Sequence, residues 1–399
     1  MAHRRALLAL TLLLLAVSCT GTHPQAARSP GGAPGTPGTG AVSPSPTAAN
    51  PTLTPGWPTQ VISLGTPPTP AASATPTPGS TPNLAPGTVT PYAVTQDAVF
   101  GLWDLPGPDQ GAAVPVAQPA GPTKSGSPTI GQPISGASSL VLAGGWVWVV
   151  TDPGSSASAQ LYQLNRTSLT VVSQRALPVA VTELPNSGGE LAQQDASLAA
   201  TPNWLWVAAG PDLFRVDAAT GSWTGPFPQG GELSSISADP SGRLLYTGGE
   251  TAAGSPTVRE YSGSTGSLFR QVTVPSAIVA PEVAATATGV WVGYRTGMSG
   301  AAELLSSQSL SHIEPPPSYP GQTELSPFDQ VGGVDVSVSD GALWLSGQSS
   351  LSCADPRTSA VGATETVSAP PVVVAGDGVL YGSDAGALDI ISPPAICFG

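Results

Sequence analysis

The alternation of apolar and polar positions divides the chain into three stretches of different character. Residues 6–17, ALLALTLLLLAV, form an unbroken apolar run behind Arg4 and Arg5. Residues 20–91 show no hydrophobic period; Pro, Thr, Ser, Ala and Gly dominate them, apart from the island GWPTQVISLG around Trp57, Val61, Ile62 and Leu64. From residue 92 onward, short apolar runs alternate with Gly, Asn and Asp turns, as in LVLAGGWVWVV, LAATPNWLWVA and VAATATGVWVG. Each of these reads as two strands joined by a hairpin turn, because such turns need residues that tolerate positive φ. Runs such as WVWVV are apolar at successive positions, which predicts strands covered on both faces.

The paired-strand pattern recurs seven times, centred on Phe100, Trp148, Trp206, Tyr246, Trp291, Trp344 and Tyr381, with a mean spacing of about 47 residues. Eight residues before six of these anchors stands a large side chain: Tyr92, Leu140, Leu198, Val283, Val336 and Val373. The Tyr246 unit has a longer turn, and its register slips. About ten residues beyond several anchors come a third strand and a corner: LYQLNRTS, LFRVDAATG, VREYSGSTG and LSCADPRTS. Repeats of this length carrying three to four strands predict an all-β protein, a β-propeller of about seven four-stranded blades over residues 92–399. The stretch ISADPSGRLLYTGG is similar to the strand-turn-strand unit of lactonase-like propellers, and LFRVDAATGSW resembles a repeat corner of quinoprotein-like propellers. These are scaffold motifs and imply the fold rather than one activity. On this reading Trp206 packs between blades, and Asp217 to Gly221 turn the chain between strands.

The termini add an address. The basic pair, the apolar run and the small residues before Cys19 read as a secretory signal over 1–18, with a core too short for a comfortable membrane span. AVSC resembles a bacterial lipobox, which implies a diacylglycerol thioether on Cys19; an ordinary signal peptide that happens to contain Cys19 is the alternative. Each lipid methylene is worth roughly 0.8 kcal/mol, so two or three chains would hold the protein on a membrane. Residues 19–91 then form a lipid-anchored disordered tether, since 17 prolines and little apolar surface preclude a core. The island within it is read either as a strand docking on the folded domain or as a sticky spot in the linker. The short last unit leaves closure open between AICF and the Val61–Ile62 island as the outer strand of blade seven. Removing Cys19 leaves Cys353 and Cys397, an even pair in an exported context, which predicts a disulfide. A metal site is the weaker reading, because His312 is the only histidine after residue 23.

Candidate chemistry is sparse. A streptogramin-lyase-like site needs a histidine base with acidic metal ligands, and a quinoprotein dehydrogenase needs several tryptophan corners; neither pattern is present. A lactonase-type hydrolase needs carboxylates and an arginine, which the chain has, but in no recognisable constellation. The NRT sequon at Asn165 and the sortase-like LPNSG at Leu184 lack the context that would give them use. What stands out are two long inter-blade links, carrying Glu183, Glu190 and Asp195, and Glu314, Tyr319, Glu324 and Asp329. Lying three blades apart, they are expected to face each other across one mouth of the channel, as an acidic site for a cationic peptide, a sugar or Ca²⁺; no other cofactor is expected. All 25 acidic side chains lie in residues 92–399, with nine of the twelve basic ones once Arg4, Arg5 and Arg28 are set aside. That balance excludes nucleic acid and anionic lipid headgroups as partners. The expected role is a monomeric binding or assembly scaffold at the bacterial envelope, with an envelope protein, peptide or glycan as partner. The alternative is an extracytoplasmic hydrolase or lyase with carboxylates at the channel mouth.

Overall fold

The structure is a computed structural model. It describes residues 57–398 except 65–86, 106–111, 122–125, 155–157, 181–193, 297–298, 312–334, 348–349, 358–360 and 367–372. The seven repeats fold as seven antiparallel blades, each running from an innermost strand outward. The innermost strands are Thr88–Val94, Ala137–Ala143, Ala196–Ala200, Leu233–Ala238, Glu282–Ala285, Asp335–Ser339 and Val373–Gly376. Each touches the innermost strands of both neighbouring blades, and the first touches the last. The ring is therefore closed, and the fold is a seven-bladed β-propeller. Blade 5 has three strands among the described residues.

The repeat anchors cement the seams. Trp148, Trp206, Tyr246, Trp291, Trp344, Tyr381 and Phe100 are all at most 2% exposed. Each packs against the following blade: Trp148 with Leu205 and Phe214, Trp206 with Leu233 and Leu245, and Trp291 with Leu343 and Leu345. Tyr381 lies with Val89 and Val99, so the last blade is packed on the first like any other pair. Directly across from each anchor, on the innermost strand, is a small or β-branched residue: Ala93, Val141, Ala199, Ser237, Ala284, Ser337 or Val374. That partner stands seven residues before six of the anchors and nine before Tyr246, the extra length being its longer turn.

The corners between third and outer strands complete each seam. Asn165, Asp217, Ser262, Ser306 and Asp355 open the corners of blades 2 to 6. Each accepts, through its side-chain oxygen, a backbone N–H two residues on, such as Ala219 N to Asp217 Oδ1 at 3.0 Å. The preceding blade then binds the corner. Trp206 Nε1 donates to Gly263 O at 3.0 Å, and Trp291 Nε1 donates to Pro356 O at 3.2 Å. Arginines do the same: Arg175 to Thr220 O, Arg215 to Ser264 O and Arg270 to Ser307 O. The glycine closing the corner is set against the tryptophan. Gly266 has φ +73°, and a Cβ there would stand 2.8 Å from Trp206 Cη2. The stretch from Trp204 to Trp223 is thus masonry, as its repetition predicts.

Both ends of the described chain meet at the seam between blades 6 and 7. The island is a strand: Thr59–Ser63 pairs antiparallel with Ala387–Ile391 as the outer strand of blade 7. The propeller therefore includes the strand Thr59–Ser63, upstream of residue 92, and the innermost strand of blade 1 itself starts at Thr88. The reason is physical: the backbone of Thr59–Ser63 satisfies the open edge of blade 7 and Ile62 packs on it, while the buried Trp57 and Leu64 fasten either end of the strand. AICF forms instead a short 3-10 helix, Ala395–Phe398. It carries Cys397 into a disulfide with Cys353 of blade 6, Cα–Cα 5.5 Å, and sets Phe398 on Trp344 with ring centroids 5.8 Å apart. Trp57 packs between Trp344 and Cys353 on one side and Val373 and Leu380 on the other.

Three stability outcomes follow. Gly266→Ala is expected to destabilise more than Gly145→Ala in denaturant titration. Both positions have positive φ, costing about 1–2 kcal/mol for a side chain, but a Cβ at Gly145 meets nothing within 4 Å. Trp57→Ala is expected to cost about 3–5 kcal/mol, and removing the disulfide, which closes a 44-residue separation, about 4 kcal/mol.

Candidate functional site

The innermost strands enclose a cavity of about 400 Å³. Its lining comes from all seven: Thr90 and Tyr92, Ser138 and Ser139, Ala196 and Ser197, Ser234, Glu282, Val336 and Ser337, and Val373. These residues stand at or near the starts of those strands. Asp195, just before one, and Asp152, just after the second strand of blade 2, complete the wall. The cavity is therefore the end of the channel onto which the blade-to-blade links open, the mouth that the sequence marks as acidic.

Of the residues expected there, Asp195 lies in the wall. Glu183, Glu190, Glu314, Tyr319, Glu324 and Asp329 lie outside the described residues, as does Cys19. Sequence reasoning missed Asp152, Glu232, Glu250 and Glu282. Their signal is positional: Asp104, Asp152 and Glu250 each stand four residues past an anchor, where the second strand reaches this end of the channel. Asp195 and Glu232 each stand immediately before an innermost strand.

The electrostatics of the mouth are those of crowded carboxylates in a poorly hydrated wall. Burial raises the Asp152 and Asp195 carboxyls above the usual range; in Asp152 this is opposed by the Ser138 hydroxyl and by Ala196 N, which donates to Oδ1 at 2.7 Å, while Asp195 raises it further. Glu232 is pushed up to about 7, first by burial and then by the charges of Asp195 and Glu250. Tyr92 donates its hydroxyl to Ser138 O at 2.6 Å, and burial together with Asp104, Asp152 and Glu282 drives its ionisation far up, so it stays neutral. Two arginines belong to this end. Arg259 is buried and donates to Glu250 O at 3.0 Å and to Gln271 Oε1 at 3.2 Å; Arg295 closes the second strand of blade 5. The ion pair of Arg270 with Glu260 joins the third and outer strands of blade 4. No three Asp, Glu, His or Cys side chains among the described residues converge as metal ligands.

The architecture is the propeller of many unrelated proteins. The chain resembles the WD40 domain of Neurospora crassa Pan2 with a TM-score of 0.55 at 10% identity, covering 87% of this chain and 99% of that one. It resembles Kuenenia stuttgartiensis hydrazine synthase with a TM-score of 0.57 at 9% identity, covering 82% and 100%. At such identities the likeness is one of fold alone. No family model matches the sequence, and no curated protein matches it.

The raised Glu232 carboxyl has a signed consequence. The folded protein holds this proton up to about pH 7, whereas the unfolded chain releases it near 4.3. Stability therefore falls as pH rises through that window. Glu232→Gln is expected to stabilise the protein at about pH 8 and to make little difference at about pH 4, as read by denaturant midpoints at the two values.

Proposed function

We propose that the chain is an exported, lipid-anchored binding module, held on the outer face of a bacterial cytoplasmic membrane through Cys19, whose propeller engages an envelope peptide, protein or glycan at the acidic end of its channel. The observation that carries the reading is the convergence of seven strand starts on one concave site, with Asp152, Asp195 and Glu282 in its wall. Rigid β-scaffolds bearing polar groups at a concave end are where ligands bind. The site's polar groups favour binding over catalysis. The Tyr92 hydroxyl is committed to Ser138 O and Asp152 to Ala196 N, so two of the groups nearest to acid–base work serve as structural partners. The address rests on the signal, the lipobox-like AVSC and the Pro/Thr-rich segment.

Two experiments test this. Cys19→Ala should release the protein from the membrane fraction into the medium or wash, and retention would overturn the anchor. The full chain should be melted against neutral oligosaccharides, Ca²⁺ and cationic peptides, beside an Asp195→Asn/Glu232→Gln variant and a Glu190→Ala/Glu324→Ala variant. A melting shift lost in the first variant assigns binding to the channel mouth. A shift lost only in the second moves it to the long links, and no shift with any class removes the small-ligand reading.

A further inference from the structure

Resting on that reading, the geometry points to a single basic side chain as the group the channel receives: the ammonium or guanidinium of a lysine or arginine presented by a partner peptide.

Four observations converge on it. The cavity, about 400 Å³, lies within the range of small-ligand sites, roughly 300–1,000 Å³. Its wall suits a long apolar stem with a charged tip, since Tyr92, Val336, Val373 and Trp344 contribute hydrocarbon and Ser138, Ser139 and Ser337 contribute hydroxyls. The Ser197 and Ser234 hydroxyl oxygens, on neighbouring innermost strands, are fully buried in this wall and have no hydrogen-bond partner. A buried hydroxyl without a partner carries a desolvation cost, and rotation about its Cα–Cβ bond would present it to an N–H donor entering the cavity. The charge at the same end is negative: Asp152, Asp195, Glu232 and Glu250 act on one another, and none has an ion pair among the described residues.

The competing ligand chemistries fit less well. An anion meets like charge. A divalent metal needs several ligands converging at one point, and the described carboxylates do not converge. A neutral sugar leaves the carboxylates uncompensated. Burial raises the Glu232 carboxyl first, and a cation relieves the further rise that the charges of Asp195 and Glu250 add. Its binding is therefore coupled to deprotonation of a carboxyl faced by Asp195 and Glu250, with Arg259 held behind them on Glu250 O. Affinity rises with pH across neutrality.

The test is calorimetric titration of the full chain with Nα-acetyl-lysine methylamide and Nα-acetyl-arginine methylamide, with Nα-acetyl-norleucine methylamide, which keeps the lysine stem without its ammonium, as the uncharged control. Expected are binding of at least one charged probe, none of the norleucine probe, and an affinity that increases from about pH 6 to about pH 8 with proton release. Asp195→Asn/Glu232→Gln should weaken the charged probe by about tenfold or more, with the variant's circular dichroism melt reporting that it remains folded. Ser197→Ala, a smaller change, should weaken binding in the same direction without altering its pH dependence. Equal binding of the norleucine probe, or charged-probe binding indifferent to both variants, would overturn the inference. Silence of both charged probes would overturn it too. If a neutral oligosaccharide still shifted the melt in a way the Asp195→Asn/Glu232→Gln variant abolished, the mouth would stand as a binding site and only its ligand class would fall.

Discussion

A small sheet that is apolar on both faces cannot exist in water by itself, and each blade of this protein is such a sheet. Its stability is borrowed from its neighbours through one buried aromatic per seam. Trp148, Trp206, Trp291 and Trp344 have almost no exposed surface, and two of them spend their only polar atom on the next blade's corner. The apolar body supplies the burial, and the indole N–H fixes the rotation of one blade against the next. Because every seam uses the same device, no blade is independent, and the ring must close for any of it to be stable.

That requirement explains the asymmetry between the two ends of the channel. At one end the chain reverses within blades through short hairpins and corners with side-chain caps, and arginines strap those corners to the preceding blade. Little freedom is left there. At the other end the chain passes between blades, and the links differ in length and composition. Carboxylates accumulate where second strands finish and innermost strands begin. The walls that place them belong to the rigid part of the molecule, so the carboxyls of Asp152, Asp195 and Glu232 are raised first by burial, and mutual repulsion adds to this at Asp152 and Glu232.

The fold was legible in the sequence because the seam device recurs as sequence: an aromatic in an apolar run, at a mean spacing of about 47 residues. Tyr246, with its longer turn, was found by the same anchor although its register differs by two. The disulfide was legible from parity, and the structure places Cys353 and Cys397 together. The island around Val61 was visible as an anomaly, but its pairing with Ala387–Ile391 was left open, because complementarity between a segment and an edge more than three hundred residues away leaves no local pattern. The mouth was half legible. Asp195 was marked by its long link, whereas Asp152 and Glu232 sit in ordinary strand ends and acquire meaning only when seven blades bring those ends to one place.

The strand Thr59–Ser63 has a mechanical consequence. Whatever chain precedes Trp57 enters the ring at the seam between blades 6 and 7, so a pull from that side is delivered first to Trp57, whose N–H donates to Glu365 of blade 6, and then to the hydrogen bonds with Ala387–Ile391. That seam alone is covalently bolted, by Cys397 back to blade 6, and plugged by Trp57. The load path and the reinforcement coincide, as in a hoop whose handle is riveted across its joint.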